Sequence, residues 1–226
     1  MDQHVDASDS RESTIDRLAQ AVARHVGSAG DHVTALPALP LHRRDAPTGP
    51  VDCIYPLSLA VTAQGSKQVT IGGKVLNYGP GQSMLLTIDL PIVAHVTHAS
   101  KREPYLGLVL RLEAGLIAQA GSEMKLPRPD DAHAHELIPI ERLDSDLLDA
   151  LRRLIALLDN PRLLPRLAPL VQREIIIRLL TGPYGRIFGN SAWQNLQESR
   201  SPGWWLGSSR TSLRRYPWTN WLPTRI

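Results

Sequence analysis

Between Leu57 and Leu112 the apolar residues recur at every second position in short runs, while on both sides of that stretch they recur at helical spacing. Neighbouring side chains of a strand point to opposite faces, whereas residues three and four apart share one face of a helix. A chain with both periods, segregated in this way, must pack helices against antiparallel strands. Leu57-Ser-Leu-Ala-Val-Thr-Ala reads as one strand. Gln68-Val-Thr-Ile, Gly72-Gly73 and Lys74-Val-Leu-Asn-Tyr read as a hairpin, because paired glycines supply the positive φ that a two-residue turn needs. Pro80-Gly81 turns the chain into Ser83-Met-Leu-Leu-Thr-Ile, and Pro91 opens Ile92-Val-Ala-His-Val-Thr-His. Pro104 opens a last strand from Tyr105, in which Leu106, Leu108, Leu110 and Leu112 share a face. The class is α+β, and short strands punctuated by Gly and Pro predict an antiparallel barrel or sandwich over about residues 51–113.

Helices flank this region. Residues 9–26 carry Ile15, Leu18, Ala19, Val22 and Val26 at helical spacing, with Ser10 or Ser13 as cap. Residues 27–50, rich in Gly, Pro, Asp and Thr, read as a loop or an extended arm. A short helix is expected over 113–120. Asp144 or Ser145 caps a stronger one bearing Leu147, Leu148, Leu151, Leu154, Ile155 and Leu158, which ends before Pro161. Another spans 163–181 with Val171, Ile175, Ile176 and Leu179 and stops at Thr181-Gly182-Pro183. Together these last two form a helical hairpin that must bury its stripe against the strands, another subunit, or both.

The end of the chain has a different composition. All five tryptophans lie at or beyond Trp193, and from Gln194 there is no Lys, Ala, Val or Asp, against five Arg and one Glu. Past Phe188 no periodicity remains. The organisation read from this is an N-terminal helix and arm (1–50), a folded domain (51–188) and an irregular, basic, disordered tail (189–226). Because the tail supplies five of the 25 basic and one of the 22 acidic residues, the body has 20 against 21 and no general attraction to phosphate.

Other classes are excluded or disfavoured. Cys53 is the sole cysteine, so no intrachain disulfide forms, and it reads as a small buried apolar residue. No apolar run is long enough to span a bilayer, and the acidic start lacks the features of a signal peptide, which predicts a cytoplasmic protein without membrane contact.

One set of motifs goes further: Leu59-Ala-Val-Thr-Ala-Gln-Gly-Ser-Lys-Gln-Val-Thr-Ile-Gly, Tyr78-Gly-Pro-Gly, Leu85-Leu-Thr-Ile-Asp-Leu-Pro, Ala99-Ser, Pro104-Tyr-Leu and Arg173-Glu-Ile-Ile-Ile-Arg-Leu-Leu-Thr-Gly-Pro. In this order, over residues 13–188, they resemble the N-terminal regulatory domain of a subgroup of AraC-type transcription regulators. The resemblance implies a cupin-like β-barrel followed by helices used for dimerisation, an unidentified small-molecule effector held by the domain, and DNA reading by a C-terminal pair of helix-turn-helix units of about 100 residues. Only 38 residues follow Phe188 here, so that second domain is expected to be missing, and DNA to be reached only through it.

The tail offers a reason. If each codon is shifted to take the last base of one codon and the first two of the next, Trp218-Thr219 must encode Asp and Asn220-Trp221 must encode Leu. With permitted synonymous codons residues 212–226 conceal Pro-Ser-Pro-Leu-Pro-Leu-Asp-Glu-Leu-Ala-Ala-Asp-Ala-His, which resembles the opening of the family's first helix-turn-helix. A frameshift near 189–200 is therefore expected.

Effector-pocket candidates are Tyr78, His95 and His98, the polar groups best placed to face inward or line a mouth, with only one of the two histidines able to face in. No catalytic residue, cofactor or metal is expected. His95 and His98 lie three apart on one strand and so point to opposite faces, which prevents easy chelation of one ion. Asp130, Asp131, His133, His135 and Glu136 have the composition of a metal site but fall in a Pro-rich linker. Gly72-Gly73 and Gly79-Pro80-Gly81 are turn glycines without a following helix start, unlike a phosphate cradle. Ser66 and Lys67 lack a third orienting group for nucleophilic catalysis, and Lys67 is expected on the solvent side of its strand. Arg173, Glu174 and Arg178 form a solvated face or a dimer rim. The reading is a non-enzymatic, effector-sensing domain that forms homodimers through its C-terminal helices; the alternative is a metal-dependent cupin-like enzyme.

Overall fold

The computed structural model describes residues 3–87, 90–124 and 140–185; the tail from 189 and the Asp130–Glu136 cluster lie outside the described residues. The chain opens with helix α1 (Gln3–His25), which starts earlier than its apolar stripe. The strands are β1 (Gly30–His32), β2 (Leu41–Arg44), β3 (Val51–Tyr55), β4 (Ser58–Gln64), β5 (Ser66–Ile71), β6 (Lys74–Tyr78), β7 (Gln82–Leu86), β8 (Leu90–His98), β9 (Tyr105–Arg111) and β10 (Ile140–Arg142). Helices α2 (Ala114–Glu123), α3 (Ser145–Ala156) and α4 (Leu164–Thr181) complete the fold.

The strands form two antiparallel sheets, of order β1-β2-β9-β4-β7-β10 and β3-β8-β5-β6. The expected α+β class holds. Closure into a barrel does not: among the described residues no strand pairing joins the two sheets, which face each other instead. The three-residue strands β1 and β10 form the edges of the larger sheet, and neither hydrogen-bonds to an edge strand of the smaller one, as closure requires. The strand region also begins before residue 51. Within the stretch read as loop or arm, β1 and β2 pair with each other, and β2 pairs with β9 from Leu41↔Leu108 to Arg44↔Tyr105. These strands of three and four residues are too short to display a period, and only Leu41 is buried in them.

The hairpin β5–β6 follows the expected register. Gly72 and Gly73 take φ of 53° and 82°, so the two-residue turn closes with Ile71 opposite Lys74 and Lys67 opposite Tyr78. β4 and β9, at the centre of the larger sheet, are buried on both faces. One face presents Leu59, Val61, Ala63, Leu106, Leu108 and Leu110 to a large aliphatic core that includes Leu18 and Val22 of α1 and Leu148, Leu151 and Ile155 of α3. The other presents Ala60 and Val109 to a smaller core completed by Val69, Ile92 and Ala94 from the second sheet.

The helical hairpin buries its stripe within its own chain: α1 packs on β4 and β9, α3 on α1, and α4 on both α3 and α2. Asp144 caps α3, its Oδ1 accepting from Leu147 N at 2.7 Å, which satisfies one of the amide groups that a helix start leaves unpaired. Past α4, Tyr184 is 1% exposed and donates through its hydroxyl to Ser83 O at 2.8 Å, pinning the end of the helices to β7. The charged face behaves as a clasp between helices: Glu174 accepts from Arg153 at 2.7 and 2.8 Å and from Arg178 at 3.0 Å, Arg178 reaches Asp146 at 2.9 Å, and Arg173 pairs with Glu123 of α2.

Candidate functional site

Strand alternation decides which side chains enter the space between the sheets. In β5 the apolar residues Val69 and Ile71 face inward, and Lys67, two positions earlier, shares their face. Its side chain is accordingly buried, with 8% exposure, contrary to the solvent-side position expected of it. The ammonium donates to Tyr55 Oη at 3.0 Å and sits 5.3 Å from the centre of the Tyr55 ring. Tyr55 arrives from β3, Tyr78 from β6 directly opposite Lys67, and Tyr105 from β9; all three are 5% exposed or less. Tyr105 lies across Gly107, where an added Cβ would come within 2.6 Å of its hydroxyl, and that hydroxyl is 3.5 Å from Thr62 Oγ1.

A second polar group enters from β2. His42 pairs with Gly107 and so faces the same side as Tyr105 and Val109. Its Nδ1 lies 2.6 Å from Asp31 Oδ1, which also accepts from Arg44 at 2.7 Å. An ionised carboxylate only accepts, so Nδ1 carries the proton and Nε2 is left as a bare acceptor. That Nε2 is shielded from solvent and has no hydrogen-bond partner among the described residues.

The electrostatics follow from burial. Burial pushes the Tyr55 and Tyr78 phenols above their ordinary value, so both are neutral at neutral pH. Burial penalises the Lys67 ammonium; what raises its pKa is charge attraction to the Tyr55, Tyr78 and Tyr105 oxygens, which acts only once a phenol ionises, together with the bond to Tyr55, so at neutral pH that bond alone offsets the burial. For His42, burial prevails over the pull of Asp31, with Lys67 and Arg44 adding repulsion, so the ring is held below its usual value. Burial also opposes ionisation of Asp31, yet the bonds and charges of His42 and Arg44 outweigh it and keep the carboxyl below its usual range. Cys53 is half-buried, and burial pushes its thiol up to about 11, far from a nucleophilic thiolate. The result is a cation beside the neutral phenols of Tyr55 and Tyr78, with no carboxylate bonded to it among the described residues.

Of the residues expected to line an effector site, Tyr78 lies in this cluster. His95 pairs with Gln68 and alternates with the buried Ala94 and Val96, which puts it on the outer face; His98 is exposed at the strand end, 3.2 Å from Thr97 Oγ1. Tyr78 and the two histidines are thus not brought together. Lys67 was legible in principle, because it keeps the parity of Val69 and Ile71 and the Gly72-Gly73 turn sets it opposite Tyr78. Nothing in the sequence marks His42. Among the described residues no group of three or more His, Cys, Asp or Glu is arranged to hold a metal, and no helix is long and apolar enough to cross a membrane.

The fold can be set beside known proteins. Apo ToxT from Vibrio cholerae is similar with a TM-score of 0.46 and 7% identity, over 67% of this chain and 58% of that one. The AraC-like transcriptional activator CuxR gives a TM-score of 0.38 and 13% identity, over 73% and 63%. YhaK from Escherichia coli gives 0.28 and 19%, over 46% and 41%. The chain therefore spans less than two thirds of each of these structures. No curated protein sequence matches it. A family model described as the AraC-type transcriptional regulator N-terminus matches residues 35–187, well over half of the chain. The chain belongs to that family of transcription-regulator domains.

Proposed function

We propose that this chain senses a small effector and dimerises as the regulatory part of a bacterial AraC-type transcription regulator, and that the effector is held between the two sheets. The observation that carries the reading is Lys67, 8% exposed among Tyr55, Tyr78 and Tyr105, in an interior that also holds the aliphatic Val69, Leu86, Ile92 and Val109. A domain selected for stability alone gains more from filling that face with aliphatic groups, as charge is costly to bury without a partner. Polar groups converging in an apolar enclosure are the usual composition of a ligand site. Saturable stabilisation of the purified chain by a small molecule, lost when Tyr78 and Lys67 are replaced, supports the reading; ligands that stabilise wild type and variants alike contradict it.

Dimerisation is assigned to the C-terminal helices. Leu163, Leu167 and Leu170 are 43%, 37% and 62% exposed, and their spacing places them along one side of α4. A second copy of this chain covers the stripe. Sedimentation is expected to find a dimer that Leu170→Glu converts to a monomer; an unchanged wild-type monomer overturns the assignment.

The chain acts without catalysis and, in its 226 residues, without operator-specific binding: an electrophoretic shift at physiological salt is expected to show none. The tail from 189 is read as out-of-frame, and sequencing the gene through it and about 300 bases beyond is expected to reveal the helix-turn-helix pair in the other frame. Among the described residues no arrangement of ligands supports the metal-dependent enzyme, and elemental analysis of the purified protein separates it.

A further inference from the structure

The inter-sheet site also carries information about what it binds. Three facts bear on the chemistry. Lys67 has three ammonium hydrogens, and among the described residues only Tyr55 Oη accepts from it. The Tyr55 and Tyr78 phenols beside it are kept neutral by burial, and among the described residues no carboxylate is bonded to it. His42 presents a solvent-shielded acceptor, Nε2, with no donor, and its tautomer is fixed by Asp31. A ligand that completes the site must therefore supply a negative charge to one group and a hydrogen-bond donor to the other. Unpaired buried donors and acceptors are costly, which makes such a site reject ligands lacking either group.

We infer that the effector is a small organic carboxylate bearing a hydroxyl or N–H donor, its carboxylate taken by the Lys67 ammonium and its donor by His42 Nε2. Its apolar body lies on Val69, Met84, Leu86 and Val109, which line the same interior. A sugar-like neutral polyol satisfies His42 but leaves Lys67 without a counter-charge, and a plain aliphatic acid does the reverse. This assignment rests on the reading of the inter-sheet space as the effector site.

The test uses the intact chain and thermal unfolding with lactate, salicylate, 3-hydroxybenzoate and 4-hydroxybenzoate, each against its amide and its deoxy acid. At least one hydroxy acid is expected to stabilise the protein saturably, and its amide and deoxy analogue to bind on the order of tenfold more weakly or worse. Lys67→Met is expected to abolish the preference for acid over amide while retaining that for the hydroxyl; His42→Phe is expected to do the opposite. Circular dichroism of both variants checks that the fold persists. Stabilisation by amides as strong as by acids, or an acid preference that survives Lys67→Met, overturns the anion assignment while leaving a neutral effector in the same site. No stabilisation by any acid also overturns it, and if Lys67→Met at the same time lowers the stability of the free protein, the effector-site reading fails with it.

Discussion

The two faces of β4 and β9 were built from the same seven-residue strands for different ends. Toward the helices they show Leu59, Val61, Leu106, Leu108 and Leu110, all 2% exposed or less, in one continuous aliphatic core. Toward the second sheet they show Ser58, Ala60, Thr62, Tyr105, Gly107 and Val109: small, hydroxyl-bearing or aromatic. Close-packed branched aliphatics maximise buried apolar area and give a single well-ordered arrangement. Small and polar residues on the opposite face bury less apolar area per position and add hydrogen-bonding capacity, at a cost in stability. The helix side holds the domain together, and the sheet side is where we propose that a ligand is read.

The contrast is sharpest in large-to-small substitutions. Leu151, fully buried in α3, contributes to the helix-side core, and Leu151→Ala is expected to cost about 2–5 kcal/mol by chemical denaturation. Val69→Ala, equally buried but between the sheets, is expected to cost visibly less, because fewer atoms are removed and several of its neighbours on that face are small or polar. Equal losses would erase the distinction between the faces.

Next in size is Tyr184→Phe. The Tyr184 hydroxyl bonds Ser83 O at 2.8 Å and Ser83 Oγ at 2.7 Å in a buried site, so its removal is expected to cost about 1–3 kcal/mol. The loss acts on the helix side, so it lowers the midpoint of unfolding without changing ligand affinity at a temperature where the protein stays folded. The cap variant Asp144→Ala is expected to cost about 1 kcal/mol by the same measurement. Smaller still is Glu174→Gln. Its ion pairs with Arg153 and Arg178 are 30–40% exposed, so solvent screening holds the cost below about 1 kcal/mol, and added salt shrinks it further.

Acid separates the faces by another route. His42 has its pKa lowered in the folded protein, so the unfolded chain binds the proton more readily, and stability is present above the ordinary histidine value and lost as pH falls through it. Asp31, also lowered, contributes stability above the ordinary carboxylate value that is lost at still lower pH. A titration of unfolding free energy is expected to show a first decline beginning near pH 6.5 that His42→Phe removes. A decline unchanged in that variant would locate the acid sensitivity elsewhere.

The sequence displayed the elements wherever a period had room to repeat. The alternation in Tyr105–Leu112, the Gly72-Gly73 turn and the Leu147–Ile155 stripe each specified an element and its buried face. β1 and β2 were illegible because three or four residues cannot show a period, and β9, the other partner of β2, lies some sixty residues away, from Arg44 to Tyr105. The same distance hides His42, whose position on the inter-sheet face depends on that pairing. Lys67 is the instructive case. Composition argues for solvent, since lysine is seldom buried without a partner. Parity with Val69 and Ile71 argues for the interior, and the structure follows parity. Where the two arguments conflict, the residue is a candidate for function, because a charge placed against its solvation preference is retained for something other than packing.

The most direct test is the stability of ligand-free Lys67→Met. If Lys67 is held in place for a ligand, replacing an ammonium that has no counter-charge by an apolar group of similar length leaves unfolding free energy unchanged or raises it by about 1–2 kcal/mol. If instead Lys67 is structural, through its bond to Tyr55 Oη and its seat over the Tyr55 ring, the variant will be several kcal/mol less stable than wild type, and the account of the inter-sheet face as a binding site is contradicted.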